Sequence, residues 1–282
     1  MVGPVKTVVL TLTERSCSDS GPRTQVLHFL DELKRRGLDT ELVSASTERE
    51  VDPIVERTDA RIVIAADSDS QLNAVVGRAV RRLSPPPSQR PEDMRRDRTV
   101  PDLPPLAVLP LAETPDLVRE LNLPTDPAEV ADAVEAGTVQ RSDLMRHDGG
   151  GVCVNGVRLG GGDKPWSGLI NLDESVLTQP GEAILACVIA NAGSYRESDG
   201  MELVEPDPTD GQLDVAVAVP VTVGRWRKRT RVEVRRGRGR AVAVTPEESA
   251  VSLSDGVVDK LSRKRSWWIE PEAAQWMTTT SR

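Results

Sequence analysis

Aromatic side chains are nearly missing from the first half of this 282-residue chain, which holds only Phe29. All five tryptophans (Trp166, Trp226, Trp267, Trp268, Trp276) and the single tyrosine, Tyr195, lie beyond residue 165. Two halves with different core chemistry predict two domains, and the length is enough for two cores. Cysteine is as scarce. Cys17, Cys153 and Cys187 stand far apart, which argues against a disulfide framework or a paired-cysteine metal site. His28 and His147 have no Ser or Cys partner nearby in sequence, so both read as structural or exposed. The longest apolar runs, such as Ala183 to Ala192, fall far short of the roughly 20 residues that span a bilayer. No basic segment followed by an apolar stretch marks a secretory signal. These absences predict a cytoplasmic protein, and no internal repeat is visible.

What is present is unevenly charged. The formal net charge is −8. Between Arg225 and Arg240 stand Arg225, Arg227, Lys228, Arg229, Arg231, Arg235, Arg236, Arg238 and Arg240 against one acid, Glu233, so that segment carries +8 and the rest −16. One reading is two solvated strand faces joined by Gly237 to Gly239. Another is a patch for an anionic membrane lipid surface, worth roughly 1 kcal/mol per basic residue near the bilayer. Trp226, Trp267 and Trp268, with Arg263 to Arg265, suit such an interface. Nucleic acid is not expected, because too few aromatics accompany the block for base stacking. A homodimer stays open.

The first half alternates strand and helix signals. Lys6 to Leu12, Leu38 to Ser44, Arg61 to Ala66 and Leu106 to Leu111 read as strands. The third is continuously apolar, as a parallel strand buried on both faces requires. Val26 to Leu33, Val51 to Arg57, Leu72 to Leu83, Asp116 to Leu121 and Ala128 to Ala136 read as helices, the last closed by Gly137. This predicts a three-layer α/β domain with a parallel sheet over 1–138, interrupted by a Pro-rich insertion at 84–105. From 139 to 270 short β-branched runs separated by Gly, Pro or Asp predict an antiparallel β-sandwich. Gly149 to Gly151 and Gly160 to Gly162 read as hairpin turns, since no helix follows them.

Four segments in order resemble the diacylglycerol kinase catalytic-domain family, which includes bacterial lipid kinases and sphingosine kinases and is related in fold to NAD kinase. Ile62 to Val76 is similar to the family's strand, Gly-Gly-Asp-Gly-Thr and Leu-Asn-Glu-Val-Val. Leu109 to Pro124 follows Leu-Pro-Leu-Gly-Thr-Gly-Asn-Asp through to Gly-Leu-Pro. Val188 to Arg196, Met201 and Pro206 to Val215 resemble the family's Asn-Gly-x-Tyr and Asp-Gly-x-Leu-Asp-Val stretches. Val251 to Gly256 sits where the family has a strand entering Asp-Gly-Glu. The resemblance implies an α/β nucleotide domain, a β-sandwich, and a tail at 271–282 that returns to the first domain. It also implies ATP and Mg as cofactors and transfer of phosphate to a lipid hydroxyl.

A Gly-rich turn binds phosphate because bare N–H groups converge on it and glycine tolerates positive φ. The resemblance places that turn on Asp67, Ser68, Asp69, Ser70 and Gln71, with Asn73 just beyond, and only Asp69 survives. The second phosphate loop falls on Ala112 to Asp116, where Glu113 replaces Thr and Pro115 removes a donor. A carboxylate about 4 Å from a phosphate charge costs about 4 kcal/mol at an effective dielectric of about 20. Asp67 and Glu113 therefore argue against efficient ATP use. Asp255 falls on the family's general base, and Asp207, Asp210 and Gln212 on its structural Mg loop, which uses backbone carbonyls and one Asp. The short stretch 149–181 implies a reduced lipid site. The sequence reads first as a weak or inactive kinase acting as a binding or regulatory module, and second as an active lipid kinase in which Asp69 and Asp116 hold Mg-nucleotide. Third comes a phosphatase in which Asp67 attacks phosphate and Asp69 handles protons on Mg.

Overall fold

The computed structural model describes residues 6–12, 24–57, 59–92, 94–162, 164–198, 201–224 and 229–280. Cys17, Gly200 and Arg225 to Lys228, including Trp226, lie outside the described residues. The chain forms two units: Met1–Ser142 with Glu272–Arg282, and Asp143–Pro271.

In the first unit a parallel sheet runs β2–β1–β3–β4, built from β1 (Lys6–Leu12), β2 (Thr40–Ala45), β3 (Ala60–Ala66) and β4 (Leu106–Pro110). Val9, Val63, Ala65, Ala107 and Leu109 share a core with α1 (Thr24–Arg35) and α5 (Pro127–Ala136), through Phe29, Leu33, Val130 and Val134. Val8, Leu10, Ile62 and Ile64 are equally buried, and alternation puts them on the opposite face. There α2 (Glu48–Val55) and α3 (Asp69–Leu83) pack on each other and on β2 and β3. Being buried on both faces is why these strands are uninterrupted apolar runs. A short α4 (Asp116–Glu120) follows β4, and α5 ends on Gly137 at φ 64°, the left-handed position that glycine fills without strain.

The Pro-rich stretch is tied down rather than loose. Val100 and Leu103 are buried, Leu103 N–H donates to Ala273 at 3.1 Å, and Gln275 donates to the Leu103 carbonyl at 2.8 Å. Arg98 and Arg141 both hold Asp102, at 2.6 and 2.8 Å, and keep its carboxyl down at about 2, chiefly through the Arg141 hydrogen bond. The last strand, Arg265–Thr278, brings Trp276 alongside Leu106 of β4, with its indole N–H on Ser142 at 2.9 Å.

Two antiparallel layers make up the core of the second unit. One orders the strands Arg229–Gly239, Leu213–Val223, Ala186–Ala190, Gly156–Gly160, Ala250–Ser254 and Val257–Leu261. The other pairs Ala241–Pro246 with Trp166–Leu172 and with Trp267 and its neighbours. Their facing side chains, among them Leu159, Ile170, Val217, Val244 and Trp267, make one core, which is the sandwich.

Three sequence readings change here. Arg229–Gly239 is one strand that runs through Gly237 and Gly239, not two strands joined there. A Cβ at Gly237 would sit 2.6 Å from Leu172 Cδ2, so a larger residue there would have to push that side chain aside. Trp267 is 2% exposed and belongs to the core, so it is no interface residue. Trp268 is half-buried, under the Arg146 guanidinium and donating to Glu270 at 2.7 Å. Val152 to Val157 divides into two strands, Val152–Cys153 and one starting at Gly156. His147 accepts the Gly149 N–H in the Gly149–Gly151 turn, and burial pushes its pKa down.

Candidate functional site

In the first unit the residues expected at the phosphate loops are brought together, but they form the start of a helix rather than a glycine turn. α3 starts at Asp69, so Asp69 to Gln71 form its first turn. Ser68 is the N-cap at φ −152°, extended backbone that any residue adopts, and no residue from Asp67 to Gln71 has positive φ. The Asp67 N–H donates to the Gln71 side-chain oxygen at 3.0 Å, and the Ser68 and Ser70 hydroxyls meet at 3.0 Å. Gln71 is buried, whereas Asp67, Ser68, Asp69, Ser70 and Asn73 are half-buried.

Asp69 joins the two loops. Its carboxylate receives the Asp116 N–H at 2.9 Å and the Leu117 N–H at 3.1 Å, serving as an N-terminal cap of α4 supplied from another helix. Asp116 is ion-paired with Arg119, which also donates to the Thr114 carbonyl at 3.1 Å. Pro115 occupies the N-cap position of α4 and contributes no N–H, while Glu113 is exposed beside it. The residues present do not fit a nucleotide's phosphates as they stand. The Asp67 N–H is taken, the Asp69 carboxylate is engaged by α4, and Asp67 and Glu113 add negative charge.

In the second unit Asp255 is 3% exposed and sits at φ 45° in the hairpin turn between Ala250–Ser254 and Val257–Leu261. Three backbone N–H groups converge on its carboxylate, from Val154 at 2.8 Å, Asn155 at 3.0 Å and Gly156 at 3.3 Å. The Tyr195 hydroxyl accepts from the backbone of Gly256 and Asp255, and burial pushes its pKa up. This cradle uses three of the about four lone-pair directions of a carboxylate.

The loop assigned to structural Mg lies in the same unit. Asp207 accepts from Thr209, through its N–H at 3.0 Å and its hydroxyl at 2.6 Å. Asp210 accepts the Gln212 N–H at 2.9 Å on one oxygen and meets Arg238 with the other. Asp143 clamps the loop, donating its N–H to Pro208 at 2.7 Å and accepting the Gly211 N–H at 2.6 Å. Among the described residues no group of three or more His, Cys, Asp or Glu side chains could hold a metal ion. Asp210 already carries the Arg238 guanidinium on one oxygen, so a Mg ion there would have to displace that cation or sit beside it, and the residues do not fit it as they stand.

Sequence reasoning missed Gln71 as the acceptor of the Asp67 N–H, Asp143 as a clamp and Arg238 as the partner of Asp210. Gln71 had a readable signal: Ser68 and Gln71 stand in the S-x-x-Q spacing of a capping box. Asp143 is 68 residues from Gly211 and Arg238 is 28 from Asp210, and no local pattern marks either pair.

A sequence profile described as diacylglycerol kinase catalytic domain matches residues 7–147. No curated protein sequence matches the chain. Among solved structures, a diacylglycerol kinase from Bacillus anthracis aligns with a TM-score of 0.65 at 13% identity, covering 97% of each chain. An NAD kinase from Archaeoglobus fulgidus in complex with ATP aligns at 0.57 and 14% identity, covering 97% of this chain and 94% of that one. At such identity the alignments speak for the fold alone, and they agree with the α/β unit and antiparallel β unit described above. On its own sequence profile, the chain belongs to the diacylglycerol kinase catalytic domain family.

Proposed function

We propose that this chain is a family member with an impaired nucleotide site, a weak or inactive kinase that acts as a binding or regulatory module. The observation that carries this reading is the Asp67 N–H donating to Gln71, which closes with a side chain the turn a phosphate would otherwise enter. The Asp67 and Glu113 carboxylates support it, since they oppose phosphate from both loops. A phosphoryl-transfer assay on diacylglycerol vesicles tests it. No lipid phosphate above the no-enzyme rate is expected at millimolar Mg-ATP, and turnover abolished by Asp255→Asn would overturn it.

The second reading is an ATP-dependent kinase for a lipid hydroxyl, with Asp255 as base. Family membership favours it, as does a neighbour of this fold crystallised with ATP. In that reading Asp255 would take a proton while three amides hold its carboxylate, and such hydrogen bonds to the charged form make it a weaker base. The phosphatase reading would need Asp69 to leave the α4 amides.

Within the first reading we place the module in the cytoplasm, peripheral at an anionic membrane. Residues 219–223 and 229–233 pair beyond the reach of the neighbouring strand Ala186–Ala190 and form a two-stranded ribbon. Arg229, Arg231 and Val232 are exposed on it. Other arginines of the basic block are used internally: Arg235 on Glu182 and Glu233, Arg236 on the Leu203 and Glu202 carbonyls, and Arg238 on Asp210. Among the described residues of the ribbon the lipid contact therefore rests on Arg229 and Arg231, and Arg225, Arg227 and Lys228 of the basic block lie outside the described residues. Among the described residues no helix is long and apolar enough to cross a membrane.

A further inference from the structure

The loop from Asp207 to Asp214 gathers acidic side chains. Asp207, Asp210 and Asp214 follow one another at short spacing, and Glu205 precedes them. Asp214 is 7% exposed, and it lines a cavity of about 580 Å³ with Glu202, Glu205, Arg236 and Arg238. Of these carboxylates, Asp214 is buried and Asp210 half-buried, and a buried anion without a counter-charge is costly.

Arg238 supplies that charge from the neighbouring strand. It lies directly opposite Asp214 in the pairing of Leu213–Val223 with Arg229–Gly239. From there its Nε reaches Asp214 Oδ1 at 3.3 Å, and its Nη2 meets Asp210 Oδ2. The remaining Asp210 oxygen is taken by the Gln212 N–H. Gly211, at φ 72°, turns its N–H onto Asp143, so Asp143, Gln212 and Arg238 of this chain hold the loop, while Asp214 Oδ2 is buried without a hydrogen-bond partner. A divalent cation on Asp210 would need an oxygen that the guanidinium already holds.

We propose that Arg238 is a covalently attached replacement for a loop cation, so that its guanidinium neutralises Asp210 and Asp214 and the 207–214 loop closes without a divalent metal. Arginine is suited to this role because it is permanently charged and its planar fork can reach two carboxylates at once. The inference is independent of the nucleotide reading, since it concerns the second unit and is tested without nucleotide.

The test is thermal unfolding of the full chain in EDTA and in millimolar Mg²⁺ or Ca²⁺. The wild type is expected to melt at the same temperature in all three. Arg238→Ala is expected to melt about 2–4 °C lower in EDTA and to regain part of that in Mg²⁺ or Ca²⁺, as the uncovered carboxylates take an ion. A wild type that loses stability in EDTA, or an Arg238→Ala protein that melts like wild type or ignores both ions, overturns the proposal. Should Arg238→Ala not fold, Asp210→Asn decides. The proposal expects it to lower the melting temperature equally with and without metal, and a loss seen only with metal present overturns it.

Discussion

Asp69 reaches from the first turn of α3 to the N-terminus of α4 and accepts the backbone N–H of Asp116 at 2.9 Å, with that of Leu117 at 3.1 Å. The one residue of the glycine-rich motif that this sequence keeps is thus holding two loops together. Capping interactions of this type are worth about 0.5–2 kcal/mol, and more when the acceptor is charged. Asp69→Ala is expected to lower unfolding free energy by about 2 kcal/mol in urea titration. A variant as stable as wild type would remove the capping role.

Asp255 makes a larger structural contribution. Asp255→Ala leaves three N–H groups without an acceptor in a buried turn, each costing about 1–3 kcal/mol. It also puts alanine at φ 45°, where asparagine and aspartate are tolerated best. A loss of at least about 3 kcal/mol is expected, with Asp255→Asn milder because one oxygen and the backbone preference remain. Equal stability of Asp255→Ala and wild type would show that the cradle does not hold the turn.

Two carboxyls give the pH dependence opposite signs. Asp102 is held down at about 2 by Arg141 and Arg98, so its contribution is present above the unfolded value of 3.8 and is lost as pH falls through about 2. Asp214 is raised to about 6, first by burial and then by the Asp207 and Glu205 carboxylates. Its folded form holds the proton longer than the unfolded chain, so it stabilises at low pH and that contribution is lost between about 4 and 6. Relative to wild type, Asp214→Asn should therefore gain stability as pH rises from 4 to 6, and Asp102→Asn should lose it as pH rises from 2 to 4. Melting curves across that range check both signs.

Reversing Arg229 and Arg231 to glutamate should weaken co-sedimentation with anionic vesicles by roughly tenfold or more, at about 1 kcal/mol per basic residue. Folding should be unaffected, since both side chains are exposed. Reversing Arg236 should instead destabilise the fold, because it would break two hydrogen bonds to backbone carbonyls. Vesicle binding unchanged in the Arg229 and Arg231 variant would set the ribbon contact aside.

The α/β unit was legible because its strands announce themselves. Ile62 to Ala66 has no polar break, and Gly137 ends α5 where a left-handed residue is needed. The start of α3 was misread because Asp69, Ser70 and Gln71 are polar and fell on a known loop, although Asp and Ser at a helix start are ordinary first-turn residues. The long final strand was hidden by Pro271 and by Glu272 at φ 52°, which interrupt it, and by burial that does not alternate along it. The basic block misled by composition alone. Counting nine cations shows charge, but only the fold shows that Arg235, Arg236 and Arg238 are spent on Glu182, two carbonyls and Asp210.

The most direct test of the closed phosphate loop is calorimetric titration with Mg-ATP of the wild type and of a variant combining Asp67→Gly, Gln71→Thr and Glu113→Thr. A ligand at about 100 times its dissociation constant stabilises by about 2.7 kcal/mol, so thermal shift gives a parallel readout. The account predicts no saturable heat for the wild type at millimolar Mg-ATP and a measurable one for the variant. Saturable binding by the wild type at sub-millimolar Mg-ATP would contradict it.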